Sequence, residues 1–211
     1  MISLDLHVHT VYSGDSPCSV QEAVLAGKDA GLDGIAITDH NSVEGLREAR
    51  EIGRKHDFLV IPGIEVSSNA GHILGLGIRN RISEGLSAKR TVELIHAEGG
   101  IAVSAHPFSL DKNPFSPLKA EFDAIEVFNP RRFFGNRLAK KYAQKHNIPF
   151  SAGSDSHFKE EVGLAGIKIE SKPELNEVIK KIAQGKASVF GRYLPPTGYL
   201  RRALFRVSAY R

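Results

Sequence analysis

The 211-residue chain has a single cysteine, Cys18, a single methionine and no tryptophan. Without a second cysteine it can form no internal disulfide, no thiolate zinc site and no iron–sulfur cluster of its own, so any metal it binds must be held by His, Asp and Glu. It also lacks an apolar run long enough to cross a bilayer, and its N-terminus has neither the basic nor the apolar region of a signal peptide. A cytoplasmic protein without a membrane partner is expected. A broad excess of one charge is missing as well. The net charge of +4 has a local source, because the last twenty residues carry Arg192, Arg201, Arg202, Arg206 and Arg211 and no acid. These five arginines exceed the whole surplus and leave the body slightly acidic, so a basic footprint for nucleic acid, if used, is confined to the tail. The remainder, 41% hydrophobic and 25% charged, is ordinary for one well-buried soluble domain.

What the chain does contain begins at its first strand. Ile2, Leu4, Leu6 and Val8 alternate with Ser3, Asp5, His7 and His9, the period-two pattern of a strand with one apolar and one polar face. His7 and His9 therefore point the same way. Two such imidazoles suit a borderline divalent cation whose other ligands are oxygens, although surface histidines on an edge strand fit the same pattern.

Downstream, Ser19 and Glu22 read as a capping box ahead of an apolar stripe to Gly31, which predicts a helix. Residues 33–38 predict a strand ending at Asp39 and His40, 42–56 a helix capped by Ser42, 58–64 a strand ending at Glu65, and 71–77 another strand. A helix at 87–99, strands at 101–105 and 124–128, a helix at 133–145, a strand at 150–153, a strand at 167–170, a helix at 173–184 and a strand at 187–190 follow. Strand and helix alternating about seven times predict a parallel α/β fold, open or closed into a barrel, whose ligands bind at the carboxyl ends of the strands. His7, His9, Asp15, His40, Glu65, His72, His106, Asp155 and His157 all fall at or just beyond such ends. Packing does not call for six imidazoles on one rim. His56, His96 and His146 lie within or at the ends of helices and read as solvated or C-capping residues.

In order, Asp5-Leu6-His7-Val8-His9-Thr10, Ile37-Thr38-Asp39-His40, Gly63-Ile64-Glu65, Gly71-His72-Ile73-Leu74, Ala105-His106-Pro107 and Gly153-Ser154-Asp155-Ser156-His157 resemble the successive motifs of the PHP (polymerase and histidinol phosphatase) family, over roughly residues 1–192. The resemblance implies a distorted (β/α)7 barrel over 1–192, two to three divalent ions (Zn, Mn or Fe), and hydrolysis of phosphoesters. It assigns one ion to His7, His9, Glu65 and Asp155, a second to Asp15, His40 and His157, and a third to His72 and His106 with Glu65 bridging. Many relatives read Ser-Asp-Gly after the second histidine, whereas this chain reads Ser13-Gly14-Asp15, one place later. Some phosphatase relatives insert a subdomain between the His72 and His106 motifs; this interval has room for one helix and one strand.

Such ions supply a hydroxide near neutrality and offset the charge on phosphoryl oxygens. Glu65 is expected at the centre of that chemistry, with His40 or His157 near the leaving group. Arg131 and Arg132, just beyond a strand end, are expected to clamp a substrate phosphate through paired guanidinium donors. Asn129, Arg131 and Asn136 also resemble a family segment in which Asn, a basic residue and Asn open a helix. The tail, 193–211, reads as a short amphipathic basic helix that docks on the body, meets a partner or nucleic acid, or is simply solvated. The leading expectation is a phosphomonoesterase for small molecules or nucleotides. An exonuclease on DNA or RNA is the alternative, disfavoured because no exposed aromatics interleave with basic residues across the body. A non-catalytic, metal-stabilised interaction module is the alternative of another class. Specificity is expected from loops such as 108–117.

Overall fold

A computed structural model describes residues 1–109 and 120–209. Of the expected specificity loop, only Phe108 and Ser109 lie within the described residues. These residues form nine strands in one sheet and six α-helices: β1 Ile2–Val8, α1 Val20–Asp29, β2 Gly34–Ile37, α2 Leu46–Lys55, β3 Leu59–Ser68, β4 Gly71–Leu76, α3 Ala88–Ala97, β5 Ile101–Ser104, β6 Ala124–Phe128, α4 Phe133–His146, β7 Phe150–Ala152, β8 Ala165–Ile169, α5 Leu175–Ala183, β9 Ala187–Gly191 and α6 Pro196–Ala209.

The sheet runs β7-β6-β5-β4-β3-β2-β1-β8-β9. It closes where the chain leaving β7 returns to β1. Val8 bridges Ser156 in parallel, with the His9 N–H 2.9 Å from the Ser156 carbonyl. The ring is thus a seven-stranded barrel, distorted because β4 pairs antiparallel with both β3 and β5. β8 is an antiparallel addition against the first half of β1, and β9 pairs antiparallel with β8. Leu4, Leu6, Ala36, Ile61, Leu74 and Val103 fill the interior together with Val178, Ile179 and Ile182 of α5, while α1 and α2 cover Val8, Ile35, Ile37 and Val60 from outside. The barrel core and its helical jacket thereby fix the rim where the polar residues stand.

Three sequence expectations need correction. The all-parallel reading fails at β8 and β9, which pair antiparallel, and at β4, because β3 continues past Glu65 to Ser68 and folds back as a hairpin. His72 therefore opens its strand, yet reversal brings it to the same rim as the other strands' carboxyl ends. Ser42 does not cap α2; its hydroxyl accepts from the Glu44 N–H, and the helix begins after Gly45, where the Tyr12 ring leaves no room for a Cβ. The simple alternation along β1 also breaks, because the pairing register with β2 shifts between Asp5 and Val8. Ile2, Leu4 and Leu6 face the interior, and the added residue turns His7 and His9 onto that same interior side with Val8 outside. The capping box Ser19/Glu22 forms as read, and one helix and one strand, α3 and β5, occupy the interval between His72 and His106.

Asp5 holds the bulge and the closure together. Its buried carboxylate accepts from the backbone N–H of His7 (3.2 Å), Ser154 (2.9 Å) and Gly163 (2.9 Å), tying β1 to the segment after β7. Gly153 lies so close to His7 that an added Cβ would meet the His7 Cβ at 2.3 Å. Replacing Asp5 with alanine strands three buried donors and is expected to cost on the order of 2–4 kcal/mol. Urea denaturation checks this: the midpoint should fall, and an unchanged midpoint would mean the carboxylate is not structural.

Candidate metal centre

The structure brings all nine sequence-predicted residues into one cluster at the barrel rim. Their ligand atoms form four overlapping groups: His9, Asp15, His40 and His157; His7, His106 and Asp155; His7, His9 and Glu65; and His40, Glu65 and His72, each within 4.8 Å. Because the groups overlap, His7, His9, His40 and Glu65 each belong to two of them, and His72 and His106 both also reach Glu65.

Glu65 is fully buried at the centre. Its Oε1 accepts from His72 Nδ1 (2.7 Å) and His106 Nε2 (3.0 Å). Among the described residues its Oε2 has no hydrogen-bond partner, although His7 Nε2, His9 Nε2 and His40 Nδ1 stand 3.3, 3.2 and 3.1 Å away. His40 Nδ1 is likewise buried and unpartnered. His7 and His9 direct their Nε2 atoms at each other across 3.0 Å.

Neighbours set the tautomers that produce this convergence. Glu126 Oε1 can only accept, so the His7 Nδ1 at 2.9 Å carries a proton and Nε2 is the ring nitrogen turned to the cluster. The Ser13 hydroxyl, bonded to Asp39, lies 2.7 Å from His9 Nδ1 and accepts from the His40 N–H at 2.9 Å. As an acceptor from His9 Nδ1, it likewise leaves the His9 Nε2 lone pair inward. Lone pairs converging on an orphaned carboxylate oxygen in a dry site repel one another unless a cation lies among them, which is the fit expected for divalent ions held by N and O donors.

The charges agree. Burial alone would raise the Glu65 carboxyl, but His72, His7 and His40 draw it well below the usual range. Burial also opposes charge on His7, yet Glu65, Glu126 and Asp155 pull its affinity for a proton well up. The same three carboxylates would attract a divalent cation. His9 moves the opposite way, well down, through burial and the neighbouring His157. Asp155, buried but beside Arg131 and His7, stays well below the normal carboxylate range.

The backbone supports these poses at some cost. His106 (φ 27°) and Asp155 (φ 51°) occupy the left-handed region, unusual for residues with side chains. Asp15 follows Gly14 (φ 80°) at the end of a short 3-10 turn, Val11–Ser13, and its carboxylate, half exposed, meets His157 Nε2 at 3.0 Å. Asp15 and His40 form the open side of the otherwise buried cluster.

Arg131 lies at the edge of the cluster, its guanidinium paired with Asp155 and its Nε buried without a partner among the described residues. Arg132 is half-buried and stands at the N-cap of α4. The other histidines stay away: His56 C-caps α2, His96 pairs with Asp123 at 2.7 Å, and His146 packs on Tyr142.

Sequence reasoning missed Glu126, which besides orienting His7 accepts from the His106 N–H (2.7 Å) and Asn129 Nδ2 (3.2 Å). One signal was available: a lone carboxylate inside the apolar run Ala124-Ile125-Glu126-Val127-Phe128. Asn129 also donates to Asp155 Oδ2 (3.1 Å) and is clamped from both sides by the Asn136 amide.

Several known proteins resemble this chain. A model of the PHP-associated region matches residues 134–187. An uncharacterised protein of Methanocaldococcus jannaschii is 33% identical over 160 residues, spanning 67% of this chain and 94% of that protein. The phosphoribosyl 1,2-cyclic phosphate 1,2-diphosphodiesterase of Eggerthella lenta is 36% identical over 80 residues, 35% of this chain and 30% of its own length. In fold, the chain is similar to a two-domain protein from Bacteroides vulgatus containing a predicted PHP-like metal-dependent phosphoesterase, with TM-score 0.73 and 18% identity over 96% of this chain and 69% of that one.

Glu126→Gln keeps the volume but turns an amide donor toward either His7 Nδ1 or the donors of His106 and Asn129. Affinity for Mn²⁺ or Zn²⁺, read by chelator competition, should fall roughly 10–100-fold. Wild-type affinity would show that Glu126 does not orient the ligands.

Proposed function

The chain belongs to the PHP family, and we propose that it is a metal-dependent phosphoric ester hydrolase acting on phosphomonoesters, with nucleotides the favoured class. The observation that carries the metal-dependent step is the buried Glu65 Oε2, unpartnered while three imidazole nitrogens converge on it. His7, His9, Asp15, His40, Glu65, His72, His106, Asp155 and His157 would hold the ions. Bound there, divalent ions neutralise phosphoryl oxygens and bring the ionisation of water from about pH 15.7 toward about 7.

The chain's own residues do the rest. Glu126 and Ser13 bond the outer Nδ1 of His7 and His9, so that the Nε2 of each is the nitrogen turned toward the ions. The open edge at Asp15 and His40 admits the ester, and the unpartnered Arg131 Nε offers a donor to a phosphoryl oxygen while the same guanidinium stays anchored on Asp155. His40 borders that open side and His157 lies behind Asp15, so both stand near where the departing oxygen would lie.

Exposed aromatics do not run across the body, but one local cluster of them adjoins the arginines. Immediately beyond Arg131 and Arg132, Phe133 and Phe134 are 62% and 76% exposed, and Phe133 packs against Tyr193, itself 43% exposed, at 5.3 Å between ring centroids. Exposed rings that directly follow Arg131 and Arg132 in the chain suit stacking of a nucleobase. The tail offers less to a nucleic acid, because Arg201 and Arg202 are engaged by Glu160 and Glu161. That favours a mononucleotide over a long strand.

Purified protein supplied with Mn²⁺ or Zn²⁺ should release phosphate from nucleoside monophosphates faster than from a synthetic phosphodiester or labelled oligonucleotides; the reverse order would make the exonuclease reading the better one. Removing both His7 and His9 by alanine substitution should abolish turnover, and activity within about tenfold of wild type would exclude them from the mechanism. Phe133→Ala should reduce kcat/KM for nucleotides about tenfold and leave a sugar phosphate unaffected, since stacking is worth roughly 1–3 kcal/mol per base. Equal losses on both substrates would contradict the stacking role.

A further inference from the structure

We infer that Arg202, on the C-terminal helix α6, is a positioning residue for the metal centre: through Glu161 and the carbonyl of Asp155 it holds the segment that presents Asp155 and His157. The inference rests on the proposed metal-binding reading of that cluster.

The segment needs holding. Asp155 sits at φ 51°, a conformation that relaxes toward negative φ unless its surroundings oppose the change. On one side the chain is fixed by the Ser154 N–H on Asp5 and by Ser156 on β1. On the other, the His157 N–H donates to Glu161 Oε2 at 3.1 Å. Glu161 is buried at the end of a 3-10 turn, Lys159–Glu161, where an uncompensated carboxylate would be unstable. Arg202 supplies the compensation. Its Nε donates to Glu161 Oε1 at 2.9 Å, its Nη2 to Glu161 Oε2, and the same Nη2 lies 3.0 Å from the Asp155 carbonyl oxygen.

One planar guanidinium therefore grips both flanks of Asp155-Ser156-His157. A lysine ammonium is a compact point charge and cannot reproduce that fork. The ring of Phe158 beneath Arg202, 6.0 Å from the guanidinium carbon, further limits its rotation. Arg201 provides the contrast: it lies over the same Phe158 ring, at 5.6 Å, but its partner at 2.8 Å is the exposed Glu160.

The test compares Arg202→Ala, Arg202→Lys and Arg201→Ala in the full chain. Three quantities are read: Mn²⁺ and Zn²⁺ affinity by chelator competition, amide hydrogen exchange over residues 153–162 in metal-free protein, and the thermal midpoint. Arg202→Ala is expected to weaken metal binding about 10–100-fold and to speed exchange in that segment. Arg202→Lys should recover most of the thermal midpoint but not the affinity, and Arg201→Ala should stay within about twofold of wild type. Wild-type affinity and exchange in Arg202→Ala, or full recovery of both by Arg202→Lys, would overturn the inference. Failure of the wild-type protein to bind either metal would instead remove the proposed function, and the exchange comparison would still decide whether Arg202 holds the segment.

Discussion

Glu65 is a carboxylate in a position with no exposure to water, and one of its oxygens faces three imidazole nitrogens at 3.1 to 3.3 Å without a hydrogen bond to any of them. Desolvating an anion is costly, and aiming lone pairs at it adds repulsion. A site built this way is stable only when positive charge sits between the donors. Protons on some of the rings supply part of it. Divalent ions, held by the same N and O donors, would supply it more completely.

The barrel solves the geometric side of this constraint with local departures from regular structure. A register shift in β1 moves His7 and His9 from the outer to the inner face. Reversal of β4 carries His72 to the common rim. Left-handed backbone at His106 and Asp155 aims two further ligands. Each departure is backed by hydrogen bonds from outside the donor set: Asp5 at the bulge, Glu126 beneath His7 and His106, Ser13 beneath His9 and His40, and the Asn129–Asn136 pair beneath Asp155. The supporting layer is what converts nine polar residues at strand ends into a centre with defined tautomers.

The sequence made the rim residues readable because each follows or opens an apolar strand, so a polar group there has few structural reasons to exist. Helix α1 was equally readable from Ser19 and Glu22, whose mutual bonds are purely local. What could not be read depends on partners distant in the chain. The bulge at His7 exists only when Ser154 and Gly163 arrive at Asp5. The direction of β4 is set by its pairing with β3 and β5. Arg202 looked like one of several tail arginines, and only the approach of Glu161, 41 residues away, distinguishes it from Arg201. Period-two patterning names the residues on a strand face; it does not name the face once a bulge intervenes.

The claim at the centre of this account is that cations belong between Glu65 and the inward nitrogens of His7, His9 and His40. Crystals grown with Mn²⁺ and measured at the manganese absorption edge test it most directly. The account predicts anomalous density at coordination distance from Glu65 Oε2 and from ring nitrogens of His7 and His9. Saturating Mn²⁺ with no anomalous density at Glu65, or ions bound only elsewhere on the surface, would contradict it.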